Sequence, residues 1–191
     1  MKRVRVAARI AMCLLALCAG CAPEREEAAP YAMFPYTHYS SGGTAEEYTA
    51  VILFEQSNST FTAYQVAFSS CTCRDTQSNY LSVMYVELLN TRETADNAAI
   101  RSITFGQNRG LWGDSNPNYY VADYTEAYYD EQFVQKLVKT RKSDYDAWGG
   151  YGKQLDAIDA DAVTGATVST SNVTSMLKGL FAYHGAKYYA E

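Results

Sequence analysis

Glu47–Gln56 reads EYTAVILFEQ and Phe61–Ser70 reads FTAYQVAFSS, with only Ser57-Asn58-Ser59-Thr60 between them. Both runs are rich in β-branched and aromatic residues, which suit a pleated surface, and the polar gap has the length of a hairpin loop. An antiparallel hairpin follows. Two more runs of the same character, NYLSVMYVELL (Asn79–Leu89) and AAIRSITFGQ (Ala98–Gln107), predict two further strands. The pattern then changes. In TEAYYDEQFVQKLVKTRK (Thr125–Lys142), Tyr129, Phe133 and Leu137 recur at helical spacing beside Val134 and Val138, with acids leading and bases following as a helix dipole favours. Near the C-terminus Val173, Met176, Leu177, Leu180, Phe181 and His184 draw a single apolar stripe; Ser169, Thr170 or Ser171 can cap that helix and Gly185 can end it. Strands first and helices later predict an α+β domain: a largely antiparallel sheet with flanking helices.

Working outward to the N-terminus, Lys2, Arg3, Arg5 and Arg9 precede a short apolar run from Ile10 to Ala19. That is the layout of an export signal over residues 1–20, too short to span a bilayer permanently. Ala19 and Gly20 stand directly before Cys21, as in a bacterial lipobox, although Cys18 occupies a position where such sites usually carry Leu. Lipidation of Cys21 and cleavage as a plain secretory peptide are the two readings, and the first ties the domain to a membrane surface. Residues 21–44, with Pro23, Pro30, Pro35 and Gly42-Gly43, read as a tether, leaving 45–191 as the folded domain. The formal charge of −5 becomes more negative once the basic signal is lost. An acidic surface does not suit nucleic acid, whose phosphates need clustered Lys and Arg.

The segment DAVTGAT, Asp161–Thr167, poses the functional question. Physically, Thr164-Gly165-Ala166-Thr167 is a turn of small residues ahead of a helix N-terminus, where free N–H groups and the dipole favour an anion. The same turn serves equally as a helix cap. Residue by residue, it resembles the flavinylation motif of the FMN-binding domain family, whose members include flavin-bearing components of the sodium-pumping NADH:quinone oxidoreductase and of the Rnf complex. That resemblance implies FMN joined through its phosphate to the hydroxyl of Thr167, as a threonyl phosphoester, with Asp161, Thr164, Gly165 and Ala166 supplying recognition and turn geometry. It also implies a partner, an extracytoplasmic flavin transferase that consumes FAD. Upstream, Gly110-Leu111-Trp112 is similar to a segment that these domains place in a loop near the flavin. Trp112 either stacks on the isoalloxazine ring or anchors its loop on the core.

Five cysteines are present, but Cys13 and Cys18 leave with the signal and Cys21 is the lipidation candidate. Cys71 and Cys73 remain, as a structural disulfide, a redox-active pair or metal ligands. No third and fourth ligand accompanies them: His38 falls in the tether and His184 on the apolar stripe, so no metal site is expected. No Ser/His/Asp arrangement, paired carboxylates or dinucleotide-binding glycine loop is visible, which suits a carrier better than a stand-alone enzyme. The expectation is an extracytoplasmic, membrane-tethered flavoprotein passing electrons between a membrane donor and an external or surface acceptor. The alternatives are an FMN-bearing accessory subunit of a membrane reductase complex and a non-redox ligand-binding lipoprotein.

Overall fold

A computed structural model describes residues 31–71, 80–105, 126–158 and 167–189. Five strands, β1 (Ala32–Tyr39), β2 (Ala45–Ser57), β3 (Phe61–Cys71), β4 (Tyr80–Leu89) and β5 (Ile100–Phe105), pair in sequence order, each antiparallel to the next. The helices are α1 (Glu126–Gln132), α2 (Lys142–Ala147) and α3 (Thr167–Tyr188), with short 3-10 turns at Ala95–Asn97 and Val134–Leu137. The α+β class with a C-terminal helix holds.

Alternation puts Phe34 and Tyr36 of β1, Ile52 of β2, Tyr64, Val66 and Phe68 of β3 and Met84, Val86 and Leu88 of β4 on one face. The α3 stripe meets that face: Val173, Met176, Leu177, Leu180, Phe181 and His184 are all buried, as their spacing predicts. The helix itself is longer than expected. Ser169, Thr170 and Ser171 lie inside it rather than capping it, and it continues through Gly185 to Tyr188.

Two expectations are corrected. Residues 21–44 are not tether throughout, because Ala32–Tyr39 forms the edge strand of the sheet. The inward set Phe34, Tyr36 and His38 alternates with outward residues over eight positions, a run short enough for Pro35 and the nearby glycines to mask. Nor does Thr125–Lys142 form one helix. Past the turn at Val134–Leu137, Lys139 takes φ 75, Lys139 N–H donates to Ile100 O (2.8 Å) and Ile100 N–H donates to Thr140 O (2.9 Å). The chain there pairs alongside β5, and the tertiary partner overrides helical periodicity.

An edge strand presents unpaired backbone groups, and α3 covers those of β1. Thr37 N–H donates to Ser175 Oγ (3.1 Å) and Tyr39 N–H to Asn172 Oδ1 (2.7 Å); Asn172 Nδ2 donates back to Tyr39 O (3.0 Å) and to Ser70 O (2.9 Å). Pro35, two residues before Thr37 on the same edge, has no N–H to satisfy. Close approach depends on Gly179, where an added Cβ would lie 2.6 Å from Pro35 O and 2.9 Å from the Phe34 ring. Gly179→Ala therefore destabilises the protein by about 1–2 kcal/mol in urea unfolding, although helix propensity alone favours alanine by about 1 kcal/mol.

A bulge in β2 re-aims its second half. Ile52 pairs with Val66, Phe54 with Gln65 and Glu55 with Tyr64, so Leu53 is the extra residue and Glu55 comes to the helix-facing side. There the Glu55 carboxylate accepts from Tyr183 Oη (3.0 Å), Lys187 Nζ (2.8 Å) and Tyr188 Oη (2.6 Å), fastening the last turns of α3 to the sheet. Burial raises the Glu55 pKa, but these donors outweigh it and hold the carboxyl below its usual value.

Candidate functional site

Thr167 is the first residue of α3 and its side chain is exposed. The rest of the candidate attachment motif, Asp161, Thr164, Gly165 and Ala166, lies outside the described residues, as do Gly110, Leu111, Trp112, Cys21 and Cys73. Cys71 ends β3, paired in register with Tyr80 across a register shift after Ser69. Where residues 161–166 and 110–112 lie relative to Thr167 is outside the described part of the chain; among the described residues Thr167 has another neighbour. It is the glycine loop Trp148–Lys153.

Gly152 sits beside the candidate attachment residue: a Cβ added there would lie 3.6 Å from Thr167 Cγ2. Its φ of 68 is in the left-handed region that glycine enters without penalty. Gly152 N–H donates to Ser171 Oγ (3.1 Å), one turn along α3, which pins the loop to the helix. The loop is braced on its other side as well. Trp148, 9% exposed, donates from Nε1 to Lys153 O (2.8 Å) and packs edge-on against Tyr39. Tyr151 lies tilted against Tyr39 and covers Gly43, where an added Cβ would meet its ring at 2.7 Å. Gly150 also has positive φ, and Lys153 N–H donates to Gly150 O (3.0 Å).

Adjoining this loop is a cleft of about 370 Å³ between the end of α2 and residues 149–157, lined by Asp144, Ala147, Trp148, Gly149, Lys153, Gln154, Asp156 and Ala157. Trp148 is buried against Tyr39, and Ser171, a cap candidate by sequence, instead holds Gly152 from within α3. The clustering of Gly149, Gly150 and Gly152 shortly before the motif was the available signal for this loop.

The two histidines have structural surroundings. His38 is buried on β1, stacked on Tyr48 at 4.3 Å with Nδ1 3.2 Å from Ser69 O, and burial lowers its pKa. His184 is buried with Nδ1 2.8 Å from Tyr64 Oη, and its Nε2 has no hydrogen-bond partner among the described residues. Desolvation lowers its pKa from 6.5 to about 4, against a smaller opposing pull from Glu55. The folded state holds this ring neutral. Its contribution is complete above pH 6.5 and is lost as pH falls from 6.5 towards 4, where the unfolded chain binds the proton more readily. From about 1.36 kcal/mol per pKa unit, stability falls by roughly 2–3 kcal/mol across that window. Urea melts at pH 7 and pH 4.5 measure it, and His184→Gln, which does not titrate, flattens the acid limb.

Among the described residues no group of three His, Cys, Asp or Glu side chains is placed to hold a metal, and no helix is long and apolar enough to cross a membrane. No protein-family model, curated protein or solved structure matches this chain.

Proposed function

We propose that the protein is an extracytoplasmic electron carrier whose FMN is held by a phosphoester to Thr167, tethered to the membrane through lipidated Cys21. The observation that carries the reading is the setting of Thr167. An exposed threonine at the head of a long helix, ending the Asp161–Thr167 motif, is open to an attaching enzyme.

The described residues fit the group. Gly152 puts no side chain of its own beside Thr167, and the first N–H groups of α3 and its dipole favour the charge of a phosphodiester. Asp161, Thr164, Gly165 and Ala166 would supply recognition and turn geometry, and Gly110, Leu111 and Trp112 a loop beside the flavin. In attachment the Thr167 hydroxyl forms a bond to the ribityl-side phosphorus of FAD, the pyrophosphate bond breaks, AMP leaves and the hydroxyl proton is released. Once bound, FMN supplies one- and two-electron redox chemistry, while the protein supplies position and polarity. A covalent link suits a compartment with no FMN pool, because it replaces a binding equilibrium with permanent retention. The donor is a membrane redox protein, and the acceptor is external or at the cell surface.

Coexpression with a flavin transferase tests the reading. The full chain gains the mass of FMN less water and fluoresces on a denaturing gel. An unmodified, colourless product would remove the carrier and favour the non-redox ligand binder.

A further inference from the structure

We infer that the cleft between the end of α2 and residues 149–157 is the berth for the isoalloxazine ring of the Thr167-linked FMN, with the Trp148 indole as one wall. The inference rests on the proposed attachment at Thr167 and adds the place where the ring lies.

Proximity is the first argument. Gly152, whose added Cβ would touch Thr167 Cγ2 at 3.6 Å, is followed directly by Lys153, which lines the cleft. Successive Cα atoms are about 3.8 Å apart, so a residue of the cleft lining follows directly on the one beside Thr167, a separation that a phosphate and ribityl chain spans. Chemistry is the second. Isoalloxazine has an apolar dimethylbenzene edge and an opposite edge of carbonyls and an N–H group. The cleft offers the Trp148 indole and the Ala147 and Ala157 methyls beside Lys153, Gln154, Asp144 and Asp156. A partly apolar recess with a few convergent polar groups is the usual character of a small-molecule site.

Rigidity is the third argument. The Trp148 indole is fixed by its bond to Lys153 O and its packing on Tyr39, while Gly152 is fixed to Ser171, so the recess and the attachment residue belong to one braced unit. On the α2 wall, Asp144 is held in place by accepting from Arg141 N–H through Oδ2 (2.7 Å). An aromatic face held still beside a tethered ring favours stacking at little cost in ordering.

The test uses the full chain loaded by coexpression with the transferase, comparing flavin fluorescence before and after urea unfolding of the same sample. An indole in contact quenches flavin emission, so wild type gains about fivefold or more on unfolding. Trp148→Phe keeps a ring in the core, and Ala157→Leu fills the cleft from an exposed position should the first variant lose stability. Both are expected to retain the FMN mass and to raise folded-state fluorescence several-fold. Adduct present with equal emission folded and unfolded, or quenching relieved by Trp112→Phe and by neither cleft variant, overturns the berth alone. No adduct on wild type removes the attachment and the berth together.

Discussion

Thr167→Ala is expected to abolish the proposed covalent flavin completely while leaving the fold as stable as wild type. Attachment needs one hydroxyl, and alanine removes it. The fold does not need it, because Thr167 is exposed and the hydrogen bond from Thr170 Oγ1 goes to its backbone carbonyl at 3.2 Å. Exposed substitutions of this kind change stability by about 0.5 kcal/mol or less. Intact mass and urea unfolding on the same preparation check the two halves. Ser169→Ala, on the same turn, controls for hydroxyl loss near the motif and keeps the adduct. A variant that still carries FMN less water would place the ester on another residue.

Asn172→Ala produces the largest loss of stability, about 3–5 kcal/mol, and brings a domain of ordinary stability close to unfolding. Asn172 is fully buried and accepts from Tyr39 N–H while donating to Tyr39 O and Ser70 O. Each buried group left without its partner costs about 1–3 kcal/mol. Asn172→Asp separates the roles: it keeps the acceptor for Tyr39 N–H but turns an acceptor towards two carbonyl oxygens, so it too is strongly destabilising. Should Asn172→Asp match wild type, the donor bonds contribute little and α3 is held to β1 mainly by apolar packing. Asn172 lies on the helix that begins at Thr167, so its loss also loosens the proposed attachment residue. A lower yield of adduct that tracks unfolding is expected.

Much of the fold was legible because it depends on local periodicity. The hairpin around Ser57–Thr60, strands β4 and β5 and the buried stripe of α3 all follow from alternation or helical spacing. Where local and tertiary demands diverge, the pattern misleads. Val134, Leu137 and Val138 keep helical spacing, yet a positive φ at Lys139 and hydrogen bonds to Ile100 turn the chain out of the helix and alongside β5. Ala32–Tyr39 looks like a linker because an eight-residue edge strand interrupted by proline carries little signal. Its partner, the Asn172, Ser175 and Gly179 face of α3, lies far along the chain. The bulge at Leu53 left no trace in a continuous apolar run.

At the candidate site, Thr167 and its motif were visible as residue types in order, since a chemical group and a small-residue turn are written directly in the chain. The Gly152 cradle, the Ser171 anchor and the Trp148 cleft were not, because they depend on a loop folding back over a helix that starts many residues later.

What the sequence by itself determined is the α+β class and the position of a reachable hydroxyl at the head of the last helix, because alternation, helical spacing and turn chemistry act between near neighbours. Only the tertiary structure decided that α3 seals the β1 edge through Asn172, that Glu55 turns inward, and that a glycine loop flanks Thr167. Those contacts join residues distant in sequence, and their free energy comes from burial and hydrogen bonds that exist only once the chain has closed on itself.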